Sequence, residues 1–138
     1  MQNYFLGQWK FMKITKLKQN EIFVFGSNEY GIHGAGAALF AKNNFGAIQN
    51  CGYGLQGQSF AIPTKDKNIK TLPLWAINNY IIAFRIYAIR AKHLIFLVTP
   101  IGCGLAGYKY ADIAPMFINM PTNVILPPEF TMMEQETT

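Results

Sequence analysis

Apolar positions along the chain fall into short blocks separated by glycine-rich stretches. Ile22-Phe23-Val24-Phe25 is a continuous run closed by Gly26, a pattern that suits a strand buried on both faces better than a half-exposed one. The sheet it belongs to is therefore expected to be covered on each side. Ser59-Phe60-Ala61-Ile62 reads as another strand, stopped by Pro63, with the polar loop Thr64-Lys65-Asp66-Lys67-Asn68 leaving its end. Leu94-Ile95-Phe96-Leu97-Val98-Thr99 is the clearest strand, and Asn123-Val124-Ile125-Leu126 is read as the last one before Pro127-Pro128.

Helical spacing occupies the intervals. From Ala35 to Asn44, helix formers mix with small residues at Ala37, Ala38 and Ala41, and Gly46 stands where a helix-closing residue would. The longest helix is predicted to begin near Pro73, because Leu74, Ile77, Ile81, Phe84 and Ala88 recur at three- and four-residue steps. Trp75, Ile82, Ile86 and Ile89 widen its apolar face, and the whole stripe is read as core rather than as a base-stacking surface. A short helix is expected from Tyr110 to Met120, with Asp112 as its N-cap and Pro115 near its first turn. This alternation points to an α/β layered sandwich, a class that binds ligands outside the carboxyl ends of its strands. The chain shows no internal repeat and is read as one domain over residues 1–130, with a flexible tail over 131–138.

Three glycine-rich turns join these elements. They are Gly26-Ser27-Asn28 running on to His33-Gly34-Ala35-Gly36-Ala37-Ala38, then Gly52-Tyr53-Gly54-Leu55-Gln56-Gly57, then Gly102-Cys103-Gly104-Leu105-Ala106-Gly107. Glycine lets a backbone approach a ligand closely, so main-chain N–H groups gathered at strand ends suit phosphate oxygens. A nucleotide diphosphate is the implied ligand. The third turn fits GxGxxG but lacks the acidic residue about 20 positions further on that a dinucleotide fingerprint needs. His33 to Ala38 lacks the Lys-Ser/Thr of a P-loop, which removes the means of holding Mg²⁺ and a γ-phosphate.

Composition narrows the partner only partly. Twelve Lys and Arg against seven Asp and Glu give a net charge of +5, which favours an anionic ligand without choosing among nucleotide, nucleic acid and membrane surface. Lys10, Lys13, Lys16 and Lys18 are spread through the N-terminal segment and Lys65, Lys67 and Lys70 share a loop, a scatter that argues against a nucleic-acid footprint. Cys51 and Cys103 form no CxxC pair, so neither a disulfide framework nor a zinc site is predicted, and no cofactor is called for. Met1 to Lys10 lacks the apolar stretch of a signal peptide, and no run approaches the ~20 apolar residues of a membrane span. A cytoplasmic protein without a membrane partner is the expectation.

Taken together, Phe25-Gly26-Ser27-Asn28, Gly34-Ala35-Gly36-Ala37-Ala38-Leu39-Phe40 through Phe45-Gly46, and Thr99-Pro100-Ile101-Gly102-Cys103-Gly104-Leu105 resemble the macro-domain superfamily. Within it the chain is most similar to the terminal ADP-ribose protein glycohydrolases and their small bacterial and phage relatives, over roughly Thr15 to Phe130. The resemblance implies a three-layer α/β/α sandwich with a mixed central sheet and ADP-ribose, free or attached to a macromolecule, as the partner. It also implies that Asn28, Gly34, Ala35 and Gly36 approach the distal ribose and the pyrophosphate, and Ser27, His33 and Thr64 are counted with them as ligand-binding candidates. From the other side, Gly102, Cys103, Gly104, Leu105, Ala106 and Gly107 would clasp the diphosphate, with Tyr108 directly after them. A helix starting near Ala35 adds its positive end to those amides.

Catalysis is less well supplied. Lys65, beside Thr64, stands where the resembling glycohydrolases carry a lysine that attacks the ribose anomeric carbon, and a desolvated lysine can serve as a nucleophile. The aspartate that follows Gly-Cys-Gly-Leu in that subgroup is Ala106 here, so the acid/base partner is missing and binding is expected ahead of hydrolysis. Asp66 and Asp112 are the other acids considered, Asp112 being better explained as a cap. Many macro domains read the adenine amine with the aspartate of Gly-Asp-Ile-Thr, where Met12-Lys13-Ile14-Thr15 offers Lys13. Cys103 is weighed as an activated nucleophile against a packed thiol, His33 as a phosphate donor against a loop-structuring residue, and His93 as a turn residue. Tyr53, Tyr108 and Tyr110 are candidates to stack on a base, Tyr108 foremost. Two other functions stay open: a non-enzymatic sensor or sequestering protein for an ADP-ribose-derived signal, and a nucleic-acid-binding module.

Overall fold

The computed structural model describes residue 14 and residues 16–131. The readings of the first ten residues, of Lys10, Lys13 and Thr15, and of the tail beyond residue 131 lie outside that range.

The continuous apolar run extends in both directions into strand β1, Glu21–Asn28. Ile22 and Val24 join one buried cluster, while Phe23 and Phe25 join the other. Because successive side chains of a strand point to opposite faces, this run needs cover on both sides. Helix α1, Gly36–Asn44, supplies it on one face through Ala38 and Ala41. Helix α2, Leu74–Arg90, supplies it on the other through Ile77, Ile81, Phe84 and Ala88.

Strand β2 is Gly54–Gln56, β3 is Ser59–Lys65, β4 is Ile95–Val98 and β5 is Val124–Ile125. They form one five-stranded sheet in the order β2-β3-β1-β4-β5. β1 pairs in parallel with both β3 and β4, β4 pairs in parallel with β5, and β2 is the antiparallel edge. The fold is thus mixed α/β. Helix α3, Tyr110–Ile113, passes directly into a 3-10 turn, Ala114–Phe117, and both pack on the α2 face. Among the described residues no helix is long and apolar enough to cross a membrane.

Five expectations are corrected. Pro63 does not stop the strand: β3 runs on to Lys65. The second glycine turn contains a strand, β2, that its sequence does not announce. On α2, Trp75 is 70% exposed, and Ile82, Ile86 and Ile89 are also exposed, because they lie about 100° or more around the helix from the buried stripe. Asp112 is not an N-cap: Lys109 is, and Asp112 sits one turn in, its Oδ2 accepting the Lys109 N–H at 3.1 Å. Asn123 likewise precedes the last strand, its Nδ2 donating to the carbonyls of Ala88, Ala91 and Leu94 at 3.0, 3.2 and 3.1 Å. That arrangement ties the end of α2 to β5.

Candidate functional site

The parallel strands β3, β1 and β4 end at the same edge of the sheet. From β1 the chain leaves toward α1 on one face, whereas from β3 and β4 it leaves toward α2 and α3 on the other. A crevice opens where neighbouring connections part in this way. Here it is a cavity of about 580 Å³ lined by the ends of all three strands and by the start of α1.

Twelve of the residues singled out from sequence meet on its wall: Ser27, Asn28, Gly34, Ala35, Gly36, Thr64, Lys65 and the stretch 102–106. The α1 start and the β4 loop both line it and come together at Leu105, since a Cβ built on Gly36 would lie 3.9 Å from Leu105 Cδ1. Gly102 has to be glycine: its φ is +79°, and a Cβ there would lie 3.1 Å from Ile113 Cδ1. The α1 N-terminus has neither a side-chain cap nor an acidic residue in its first turn. Its leading amides are therefore free of intrahelical and side-chain acceptors, and Gly36, Ala37 and Ala38 line the cavity.

Most polar side chains on the wall are already engaged. Ser27 Oγ bonds His33 Nδ1 at 2.9 Å. Asn28 Oδ1 accepts from the N–H groups of Gly31 and Ile32 at 2.8 and 3.0 Å, and its Nδ2 donates to Ile32 O at 2.7 Å. The hydroxyls of Thr64 and Thr99 donate to the carbonyls of Ser27 and Val24 at 3.2 and 2.8 Å. These bonds shape the loops. What they leave for a ligand is backbone together with Lys65, Tyr110 and Glu129, all on the wall.

Three predicted residues lie off the wall. His33 is fully buried, its Nε2 within 2.8 Å of Ile48 O and 3.2 Å of Gln56 Oε1, and its ring edge-on to Phe25. It organises the first loop. Gly107 and Tyr108 are turned elsewhere, the Tyr108 hydroxyl donating to Leu72 O at 2.6 Å. Tyr110 takes the place expected for Tyr108, and Tyr53 packs against Phe60 and Tyr80. The second glycine turn also stays off the wall. A Cβ on Gly52 would lie 2.1 Å from Asn28 O, so this glycine lets one backbone press on another rather than on a ligand.

Acidic and nucleophilic groups sort the same way. Burial first, then the charges of Asp112 and Glu129, push the Cys103 thiol up to about 12, the opposite of an activated nucleophile. Asp66 Oδ1 accepts from the N–H groups of Asn68 and Lys70 at 2.8 and 3.0 Å, closing its own loop. Glu29 accepts from Tyr80 OH at 2.5 Å, and burial, reinforced by that carboxylate, raises the phenol to about 12. At Ala106 the carbonyl accepts from Thr71 Oγ1 at 3.0 Å. The acid that does line the cavity, Glu129, was missed from sequence because nothing in Pro127-Pro128-Glu129 marks it as more than a surface residue. Among the described residues no cluster of three or more His, Cys, Asp or Glu could hold a metal. No family model, curated protein or solved structure matches the chain.

Proposed function

We propose that this cavity binds ADP-ribose or a chemically related nucleoside diphosphate, with the diphosphate between the α1 start and the β4 loop. One observation carries the reading: two glycine-rich loops some 70 residues apart line one cavity at the ends of parallel strands. An uncapped helix N-terminus is a ready anion site, and Lys65 adds positive charge to the same wall. About 580 Å³ lies within the range of small-molecule clefts. Helical cover on both faces of a mixed sheet agrees with the three-layer sandwich of the macro-domain superfamily, which the motifs resemble.

Within this reading, holding the ligand is favoured over hydrolysing it. Lys65 is on the wall, but Ala106 brings no carboxylate to assist it as a nucleophile, and Asp66 is committed to its own turn. Glu129 reaches the wall from beyond β5, whereas Lys65 ends β3, with β1 and β4 between them. A sensor or sequestering protein fits such a site.

Calorimetric titration with ADP-ribose, AMP and NAD tests the proposal. Saturable heat and thermal stabilisation with ADP-ribose are expected, about 2.7 kcal/mol of added stability at a hundredfold excess over Kd. Absence of both with every nucleotide would refute it. Steeply salt-dependent binding to oligonucleotides, not displaced by ADP-ribose, would replace it with the nucleic-acid reading.

A further inference from the structure

A β-branched residue on the cavity wall stands in a backbone conformation that its kind avoids. Beyond β3 the chain turns back at once: Lys65 bridges to Thr71, the Asp66 N–H donates to Lys70 O at 2.7 Å, and the Ile69 N–H donates to Asp66 O at 3.0 Å. In such a three-residue hairpin loop the last residue is left-handed, a place suited to glycine or asparagine. Here it is Ile69, with φ +63°. The other non-glycine residues described at positive φ are Asn50 and Asn119, a residue type that tolerates that region, whereas a branched Cβ crowds the backbone there.

The free protein draws no packing from Ile69 in return. It belongs to neither buried cluster and is 42% exposed, and it lines the cavity. Three more exposed apolar side chains line the same cavity: Ile32 between β1 and α1, Leu105 between β4 and α3, and Tyr110 at the start of α3. Single exposed apolar residues are ordinary on a surface, but four brought from separate segments to one hollow make the kind of patch that marks a binding site. Aliphatic side chains give a phosphate no hydrogen bond. They pack instead on the face of an uncharged ring, and conformational strain persists where a ligand contact makes use of it.

We infer that Ile69 is a ligand-contacting residue: with Ile32, Leu105 and Tyr110 it forms an apolar collar that packs on an uncharged ring of the ligand, its base or a ribose, and the strained turn holds Ile69 in that collar. The inference rests on the nucleotide-binding proposal above and adds to it the groups that recognise what the diphosphate carries.

The full chain and its Ile69→Gly and Ile69→Asn variants are titrated with ADP-ribose and ADP, and each unliganded protein is melted. Both replacements accept a left-handed backbone, so the turn keeps its shape, and both remove the apolar side chain. Affinity for ADP-ribose is expected to fall about tenfold in each, while the unliganded melting temperature holds or rises, by up to about 5 °C, because the strain has gone. A residue that only shaped its loop would not separate the two readouts in this way. Loss with both ligands assigns the contact to the adenosine, and loss with ADP-ribose alone assigns it to the distal ribose. Native affinity for ADP-ribose in both variants overturns the inference and leaves the nucleotide proposal standing. A lowered melting temperature in both also overturns it, since Ile69 would then be holding the free protein together. A native chain that binds neither nucleotide refutes the nucleotide proposal and the inference with it.

Discussion

Cys103 shows how far a side chain's chemistry depends on what folds around it. Read along the chain, a cysteine between two glycines at a loop admits both an activated and a packed thiol. In place it is half-buried and donates to Ile101 O at 3.5 Å, and burial first, then the charges of Asp112 and Glu129, raise its pKa from 9.0 to about 12. A folded-state value above the unfolded one favours the protonated thiol, so the associated stability is present in full below pH 9 and is lost as pH rises toward 12. Iodoacetamide, which needs the thiolate, is accordingly expected to modify Cys103 at pH 8 far more slowly in the native chain than in urea. Mass spectrometry of the peptide carrying it gives the two rates, and equal rates would contradict the placement. Ser27, Asn28 and His33 teach the same lesson. Their presence in the first loop is legible from sequence, but their bonding to one another and to main chain, in preference to a ligand, depends on Ile48 and Gln56 arriving from elsewhere.

Among the elements, α2 was legible in extent and only half legible in orientation. Its apolar residues form two stripes, one through Ile77, Ile81, Phe84 and Ala88 and one through Trp75, Ile82, Ile86 and Ile89, and a helix lying on a sheet buries one arc of roughly a third of its circumference. Composition cannot say which; the structure buries the first. Phe84 makes edge contacts with Phe60 and Phe96, ring centroids 5.1 and 5.3 Å away. Phe84→Ala is therefore expected to lower stability by about 3–5 kcal/mol, whereas Ile86→Lys should stay within about 0.5 kcal/mol. Urea unfolding of both variants measures the contrast, and similar losses at the two positions would reverse the assignment of faces. Pro63 misled for a related reason. Proline breaks a strand by withholding a ladder N–H, yet β2 pairs only with Ser59–Ala61, so the edge beside Pro63 is open and alternation aims its nitrogen there. Strand β2 itself is three residues long, too short for any periodicity to register.

For the whole molecule, the informative relation is between chain order and sheet order. β1 lies in the middle, and the chain visits β3 on one flank before crossing to β4 on the other, which brings loops distant in sequence to one end of the sheet. Motifs singled out the two loops that the fold brings together on one cavity wall. They gave no sign that the turn between them, residues 52–57, serves as a backbone buttress, because glycine demanded by a ligand and glycine demanded by another strand of main chain look the same in sequence. Hydrogen exchange separates the two uses. On the proposed reading a diphosphate would engage amides at the start of α1 and in residues 102–106, so saturating ADP-ribose is expected to slow exchange there by tenfold or more. Gly52 meets Asn28 carbonyl and Gly57 meets Gly46 whether or not the cavity is filled, so residues 52–57 should change little beyond the general stabilisation that any ligand confers. Uniform slowing across all three turns would show only that general effect and would remove the distinction. Selective slowing at residues 52–57 would move the ligand out of the strand-end cavity altogether.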